Sequence, residues 1–176
     1  HLERLQKASR YFAFPFDQEV LRQKIEKEYQ SCDIRQDYRI RISLSKSGEI
    51  EIERQVLTPL SSSFCQAKLC LQEADLEQAF TYFKTTHRPH LTVGEQEIIY
   101  HTADGKLLET SIGNLVLKMD GKLYTPPSTL GLLPGIYRQH LLENGQVEEK
   151  VLTVEDLKQA EVIYACNAVR ELYELK

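Results

Sequence analysis

The hydrophobic rhythm of this chain switches at Tyr38, and that switch limits what it can fold into. Before it, Leu2, Leu5, Ala8, Ser9 and Phe12 recur near the 3.6-residue period of a helix. Phe14-Pro15-Phe16 interrupts that run. Asp17 then stands as an N-cap ahead of Leu21, Ile25 and Tyr29, which stack at four-residue spacing. From Tyr38 the pattern alternates strictly as Tyr-Arg-Ile-Arg-Ile-Ser-Leu, and Glu49-Ile50-Glu51-Ile52-Glu53 answers it across a turn containing Gly48. Alternation on both sides of a glycine turn predicts a β-hairpin. Helical and strand rhythms in separate blocks predict an α+β fold, with mixed sheets in two lobes.

The rest of the chain extends that frame. Thr58 to Ser63 reads as a loop leading to a strand at Ala67–Leu71, and a short helix is expected from about Asp75 to near Lys84. The lobe boundary is expected there, giving a smaller N-terminal α+β lobe over 1–74 and a larger lobe over 75–176. Further strands are predicted at Glu97–Thr102, Asn114–Lys118 and Lys122–Thr125, the last two joined by the Asp120-Gly121 hairpin signal. Pro126-Pro127-Ser128 opens a loop that ends in Gly131-Leu132-Leu133-Pro134-Gly135. A helix follows from Ile136 to about Glu143, with Asn144-Gly145 as a left-handed exit. Thr153-Val154-Glu155-Asp156 has the form of a capping box for a helix to about Gln159, and Val162–Ala165 reads as a buried strand ending in Cys166-Asn167-Ala168.

Composition narrows the class of function. Apolar residues make up 41% and charged ones 27%, the balance of a folded globular chain. A net charge of −4 argues against a broad nucleic-acid footprint. No apolar run approaches the roughly 20 residues that a membrane span requires. The cysteines (Cys32, Cys65, Cys70 and Cys166) form no CxxC pair, so reduced thiols in a cytosolic protein are expected. His87-x-x-His90 has no third ligand at a suitable spacing and contains Pro89, so no metal site is expected.

Three short stretches carry possible chemistry, and each keeps a plain alternative. Pro134-Gly135 sets a sharp entry to a helix, whose first free N–H groups suit an anion such as a phosphate, or simply form a turn. Lys84, after Tyr82-Phe83, is either partly buried, which lowers an amine's pKa and frees it as a nucleophile, or a surface lysine running past two aromatics. Glu109, within Leu108-Glu-Thr-Ser-Ile-Gly-Asn114, can partner a protonated ring nitrogen or sit on a solvated turn. Arg39 and Arg41 share one strand face, where they can meet a substrate carboxylate or only water.

These stretches occur together and in order in one family. His1-Leu-Glu-Arg-Leu5, Lys84-Thr-Thr-His-Arg88, Glu109-Thr-Ser-Ile-Gly-Asn114, Thr125-Pro-Pro127 with Gly131-Leu-Leu-Pro-Gly-Ile-Tyr-Arg138, and Cys166-Asn-Ala-Val-Arg170 resemble the class-IV aminotransferases, the fold-type-IV pyridoxal-phosphate enzymes. The resemblance implies a two-lobed fold of the D-amino-acid aminotransferase kind and pyridoxal 5'-phosphate as cofactor. It implies Lys84 as the cofactor-bearing catalytic lysine and Glu109 as the acid on the pyridine nitrogen. Arg4 matches the phosphate-gripping arginine, and Gly135, Ile136 and Tyr137 match the turn whose N–H groups cradle the phosphate. Asn167 and Ala168 match a further phosphate contact. Relatives commonly carry Ser or Thr at the position of Ala168, so here only its backbone N–H is available.

The motifs look most similar to aminodeoxychorismate lyase, particularly the form fused behind para-aminobenzoate synthase component I. That implies conversion of 4-amino-4-deoxychorismate to 4-aminobenzoate and pyruvate in folate synthesis, by a cytoplasmic homodimer acting on a small molecule. The same scaffold implies a branched-chain or D-amino-acid aminotransferase as an alternative, and a silent appendage of the synthase as a second. Relatives also carry a strand region ahead of His-Leu-Glu-Arg-Leu. The N-terminal lobe is therefore expected to be incomplete at its start, and the stretch from Arg88 to Glu97 is shorter than in relatives.

Overall fold

The computed structural model describes residues 1–72 and 78–176. The chain divides into two compact units, His1–Pro59 and Leu60–Lys176. The boundary expected between residues 74 and 75 lies outside the described residues, as does the expected start of the helix before Lys84.

The N-terminal unit holds α1 (Leu2–Tyr11), α2 (Gln18–Gln30) and a two-stranded antiparallel sheet of β1 (Tyr38–Leu44) and β2 (Ile50–Val56). Asp17 caps α2 as expected. Its carboxylate accepts the N–H groups of Glu19 at 2.9 Å and Val20 at 3.1 Å, a contribution of about 1 kcal/mol. The hairpin pairs Ile42 with Ile52 and Arg41 with Glu53. Leu21 of α2 and Ile50 of β2 are buried, and Lys24 Nζ donates to the Ile50 carbonyl at 2.6 Å, tying helix to strand.

The C-terminal unit is built on an eight-stranded mixed sheet. Its path runs β10 (Glu171–Leu175), β9 (Val162–Asn167), β6 (Asn114–Met119), β5 (Leu107–Thr110), β4 (Glu97–His101) and β3 (Ala67–Leu71). β3 belongs to this unit because it pairs in parallel with β4. β6 gives one edge to β9 along its length, while β5 and β7 (Lys122–Thr125) divide its other partners, and β8 (Glu148–Glu149) pairs with β7. The Ala67 N–H donates to the Lys176 carbonyl and the Lys176 N–H to that of Cys65, each at 2.8 Å. The sheet therefore curls until its two ends meet, which satisfies edge groups that would otherwise lie open.

The α-helices of the unit among the described residues are α3 (Gln78–Tyr82), α4 (Ile136–Glu143) and α5 (Val154–Gln159). The capping box at Thr153 and Asp156 forms in both directions. Leu107, Leu115, Leu117 and Leu152 are fully buried and form the main cluster with Ile99, Ala165, Tyr173 and Leu175. Each such leucine stabilises the fold by about 1.5–3 kcal/mol. A second cluster of Val116, Leu141, Val147 and Cys166 seats α4 against β6 and β9.

β5, β8 and β10 are strands that the sequence pattern did not single out. All four residues of β5 are buried, so no alternation marks it, and β8 is only two residues long.

Candidate active site

Glu109 ends up buried rather than on a solvated turn. It lies in β5 with 3% of its surface exposed. Its Oε1 accepts Nη2 of Arg88 at 2.8 Å and the N–H of Leu133 at 3.3 Å. Burial pushes its carboxyl above the ordinary carboxylate value. The Arg88 charge, the Leu133 N–H and the Lys84 charge oppose that push. Arg88 is the residue whose part the sequence left unassigned: it is the cation paired with this acid.

Lys84 is exposed, not partly buried. α3 stops at Tyr82, so Lys84 falls past the last helical turn. The Tyr82 hydroxyl reaches the Thr129 carbonyl at 3.5 Å. The Lys84 amine nevertheless acts electrostatically on the Glu109 carboxylate, which puts the two groups in one neighbourhood.

The same neighbourhood contains the start of α4. Gly135 is its N-cap, and the N–H groups of Ile136 and Tyr137 in its first turn have no intrahelical acceptor. Asn114 holds that turn through its side chain: Nδ2 donates to the Leu133 carbonyl at 2.8 Å. A Cβ at position 135 would come within 2.0 Å of Asn114 Oδ1, and one at Gly113 within 2.7 Å of the Cys166 carbonyl oxygen. Both positions therefore need glycine for close approach. Gly135→Ala is expected to push Asn114 off Leu133, costing about 1–3 kcal/mol through a lost buried hydrogen bond, readable as a lower denaturation midpoint. An unchanged midpoint would show that this contact does not hold the turn.

Beside it lies the turn between β9 and β10. Asn167 Oδ1 accepts the N–H groups of Val169 and Arg170, both at 2.9 Å, and its Nδ2 donates to the Ile112 carbonyl at 3.4 Å. Its amide thus shapes the turn, leaving exposed Ala168 at the tip. Tyr137 packs on the Cys166 cluster, and burial, then Glu171 and Cys166, raise its phenol's pKa.

Arg4, Arg39 and Arg41 belong to the N-terminal unit, whereas everything above is built from the C-terminal unit alone. Arg4 lies half-buried on α1. Arg39 and Arg41 are exposed on β1, and Arg41 faces Glu53 across the hairpin at 3.5 Å.

These residues fit a phosphorylated pyridine cofactor. A buried carboxylate suits a protonated ring nitrogen, a nearby primary amine suits a carbonyl carbon, and an open helix start suits the phosphate. Polar atoms stand unused among the described residues: Arg88 Nε and both ring nitrogens of His90 are buried without a hydrogen-bond partner. Burial, helped by the Arg88 and His87 charges, lowers the His90 imidazole to about 4 and keeps it neutral. Sequence reasoning missed Asn114 as the organiser of the turn, and it missed Glu97, a fully buried acid at the start of β4. A carboxylate opening the run Glu-Ile-Ile-Tyr was the available signal.

Comparison with known proteins gives the family and the fold. The family described as amino-transferase class IV matches residues 1–176. A protein of Schizosaccharomyces pombe described as "Putative aminodeoxychorismate lyase" is 22% identical over 187 residues, spanning 98% of this chain and 80% of that protein. The crystal structure of a "Putative amino-acid aminotransferase" from Mesorhizobium loti superposes with a TM-score of 0.84 at 27% identity, over 100% of this chain and 89% of the other. A "putative 4-amino-4-deoxychorismate lyase" from Haemophilus somnus shares the fold, with a TM-score of 0.75 at 23% identity over 98% of this chain and 88% of its own.

Proposed function

Since this chain belongs to the amino-transferase class IV family, we propose that it is a pyridoxal-phosphate lyase. Its substrate would be 4-amino-4-deoxychorismate and its products 4-aminobenzoate and pyruvate. The observation that carries the reading is the buried Glu109, bonded to Arg88 and to the Leu133 N–H, within the field of Lys84. The likeness to the Schizosaccharomyces pombe protein along nearly the whole chain supports the lyase branch of the family.

When bound, pyridoxal phosphate supplies an electron sink for the pair left behind when a bond breaks next to the substrate nitrogen. This chain's residues do the rest. Glu109, whose charge Arg88 favours against the cost of burial, would hold a proton on the ring nitrogen. The N–H groups of Ile136 and Tyr137, with Gly135 giving close approach and the Asn167-shaped turn presenting Ala168, would bind phosphate oxygens. Lys84 would carry the cofactor. Its amine, when free, would take the proton from the carbon bearing the substrate nitrogen and return a proton as pyruvate leaves. Loss of pyruvate leaves an aromatic ring, so the elimination runs strongly downhill. Arg39 and Arg41 are the residues we propose for the substrate carboxylates.

We further propose a cytoplasmic homodimer that serves folate synthesis beside, or fused to, para-aminobenzoate synthase component I. Among the described residues no helix is long and apolar enough to cross a membrane.

A second reading, an amino-acid aminotransferase on the same residues, draws on the likeness to the Mesorhizobium loti structure. There Lys84 would return the proton to the cofactor carbon, and a keto acid would leave. Incubation with 4-amino-4-deoxychorismate, and separately with amino-acid and keto-acid pairs, tells them apart. We expect 4-aminobenzoate and pyruvate in equal amounts. Transamination without 4-aminobenzoate would sink the lyase reading.

A further inference from the structure

Glu97 has no part in the chemistry above, yet its side chain is completely buried at the start of β4. An acid there is costly unless its oxygens are well bonded. Its Oε1 accepts the Ser111 hydroxyl at 2.6 Å and the Ile112 N–H at 3.1 Å, and its Oε2 accepts the Tyr173 hydroxyl at 3.0 Å. Ser111 and Ile112 are the two loop residues of the tight hairpin that joins β5 to β6. The hairpin is closed by Thr110 and Gly113, whose N–H and carbonyl bond at 2.9 Å, and its next pair is Glu109 with Asn114. Ser111 also accepts the Ile98 N–H through its hydroxyl at 3.0 Å, and its own N–H donates to the Ile98 carbonyl at 2.9 Å.

One carboxylate thus grips both loop residues of the hairpin that presents Glu109 on one arm and Asn114 on the other. Asn114 in turn fixes the Leu133 carbonyl and touches Gly135 at the head of α4. Tyr173, in β10, anchors the far side of Glu97 in the main hydrophobic cluster.

We propose that Glu97 is a positioning residue: its buried carboxylate sets the hairpin that would aim Glu109 at the cofactor ring. This rests on the reading of Glu109 as the ring-nitrogen acid. A purely structural clamp would weaken the fold alike in any background. A positioning clamp acts on the cofactor through Glu109, so its effect depends on Glu109 being present.

The test is a double-mutant cycle read as pyridoxal-phosphate affinity of the full chain, with thermal unfolding followed alongside. Glu97→Gln keeps the volume but replaces one acceptor oxygen with a donor group. In the native background it is expected to weaken pyridoxal-phosphate binding about ten-fold, the size of a coupling between contacting groups. In a Glu109→Gln background most of that loss is expected to vanish. Equal losses in both backgrounds, or no loss in either, would overturn the inference. If Glu97→Gln does not fold, Ser111→Ala cuts the same link at the hairpin and must show the same dependence on Glu109. Failure of the native protein itself to bind pyridoxal phosphate would overturn the reading of the site and this inference with it. Native binding with an unaffected Glu97→Gln would overturn the inference alone.

Discussion

Replacing Lys84 with alanine is expected to cut turnover by at least about 10³-fold, since proton transfer by a placed side chain alone contributes about 10²–10⁴-fold. The proposed chemistry uses this one amine twice, first to hold the cofactor and then to carry the proton. Lys84 is exposed, so the fold is expected to survive the change, with any loss of stability coming from its charge on Glu109. A loss of activity without a loss of fold would therefore report chemistry. Lys84→Arg refines the test, because it keeps a positive charge near Glu109 but lacks a nucleophilic amine. It should be as inactive as the alanine variant. The measurements are the release rate of 4-aminobenzoate and the visible absorbance of protein reconstituted with pyridoxal phosphate. Native-like absorbance and rate in Lys84→Ala would remove the foundation of the proposed function.

Much of the fold was legible because its elements carry their own signals. The β1–β2 hairpin alternates, Asp17 and Thr153 cap their helices, and the Asp120-Gly121 turn has both residues at positive φ, 49° and 73°. The strands that escaped notice lack such signals. β5 reads Leu-Leu-Glu-Thr, and all four residues are buried, including an acid that sequence patterning expects at the surface. What buries it is long-range: Arg88 arrives from 21 residues away and Leu133 from 24. Glu97 was hidden for the same reason, since its partner Tyr173 lies 76 residues on. The candidate site was thus legible as a set of motifs. The pairing that sets its electrostatics was not, because charge compensation depends on chain segments that only the folded sheet brings together. Lys84 shows the converse. Its aromatic neighbours left both burial and exposure open, and the end of α3 at Tyr82 leaves it outside the helix and exposed.

Arg88→Ala is expected to destabilise the protein in a pH-dependent way, and the sign follows from Glu109. With Arg88 present, burial already holds the Glu109 carboxyl above its unfolded value of 4.5. Removing the cation at 2.8 Å takes away the largest opposing influence, so the folded-state value rises further. Between the unfolded value and that raised value the folded protein binds more protons than the unfolded chain. Stability therefore falls as pH increases through this window. Below it, Glu109 is protonated in both states and the variant loses only the packing of the arginine stem. Above it, a buried carboxylate is left with the Leu133 N–H and the Lys84 charge, and the deficit approaches the roughly 3–5 kcal/mol of a broken buried ion pair. Denaturant unfolding of the cofactor-free protein at about pH 5 and about pH 8 checks this, with the deficit expected to be clearly larger at the higher pH. The double variant Arg88→Ala, Glu109→Gln has no carboxyl to titrate, so its deficit should be level across the same range. A deficit in Arg88→Ala that ignores pH would mean that the arginine does not govern the charge of Glu109. The charge of Glu109 would then be favoured by Lys84 and the Leu133 N–H alone.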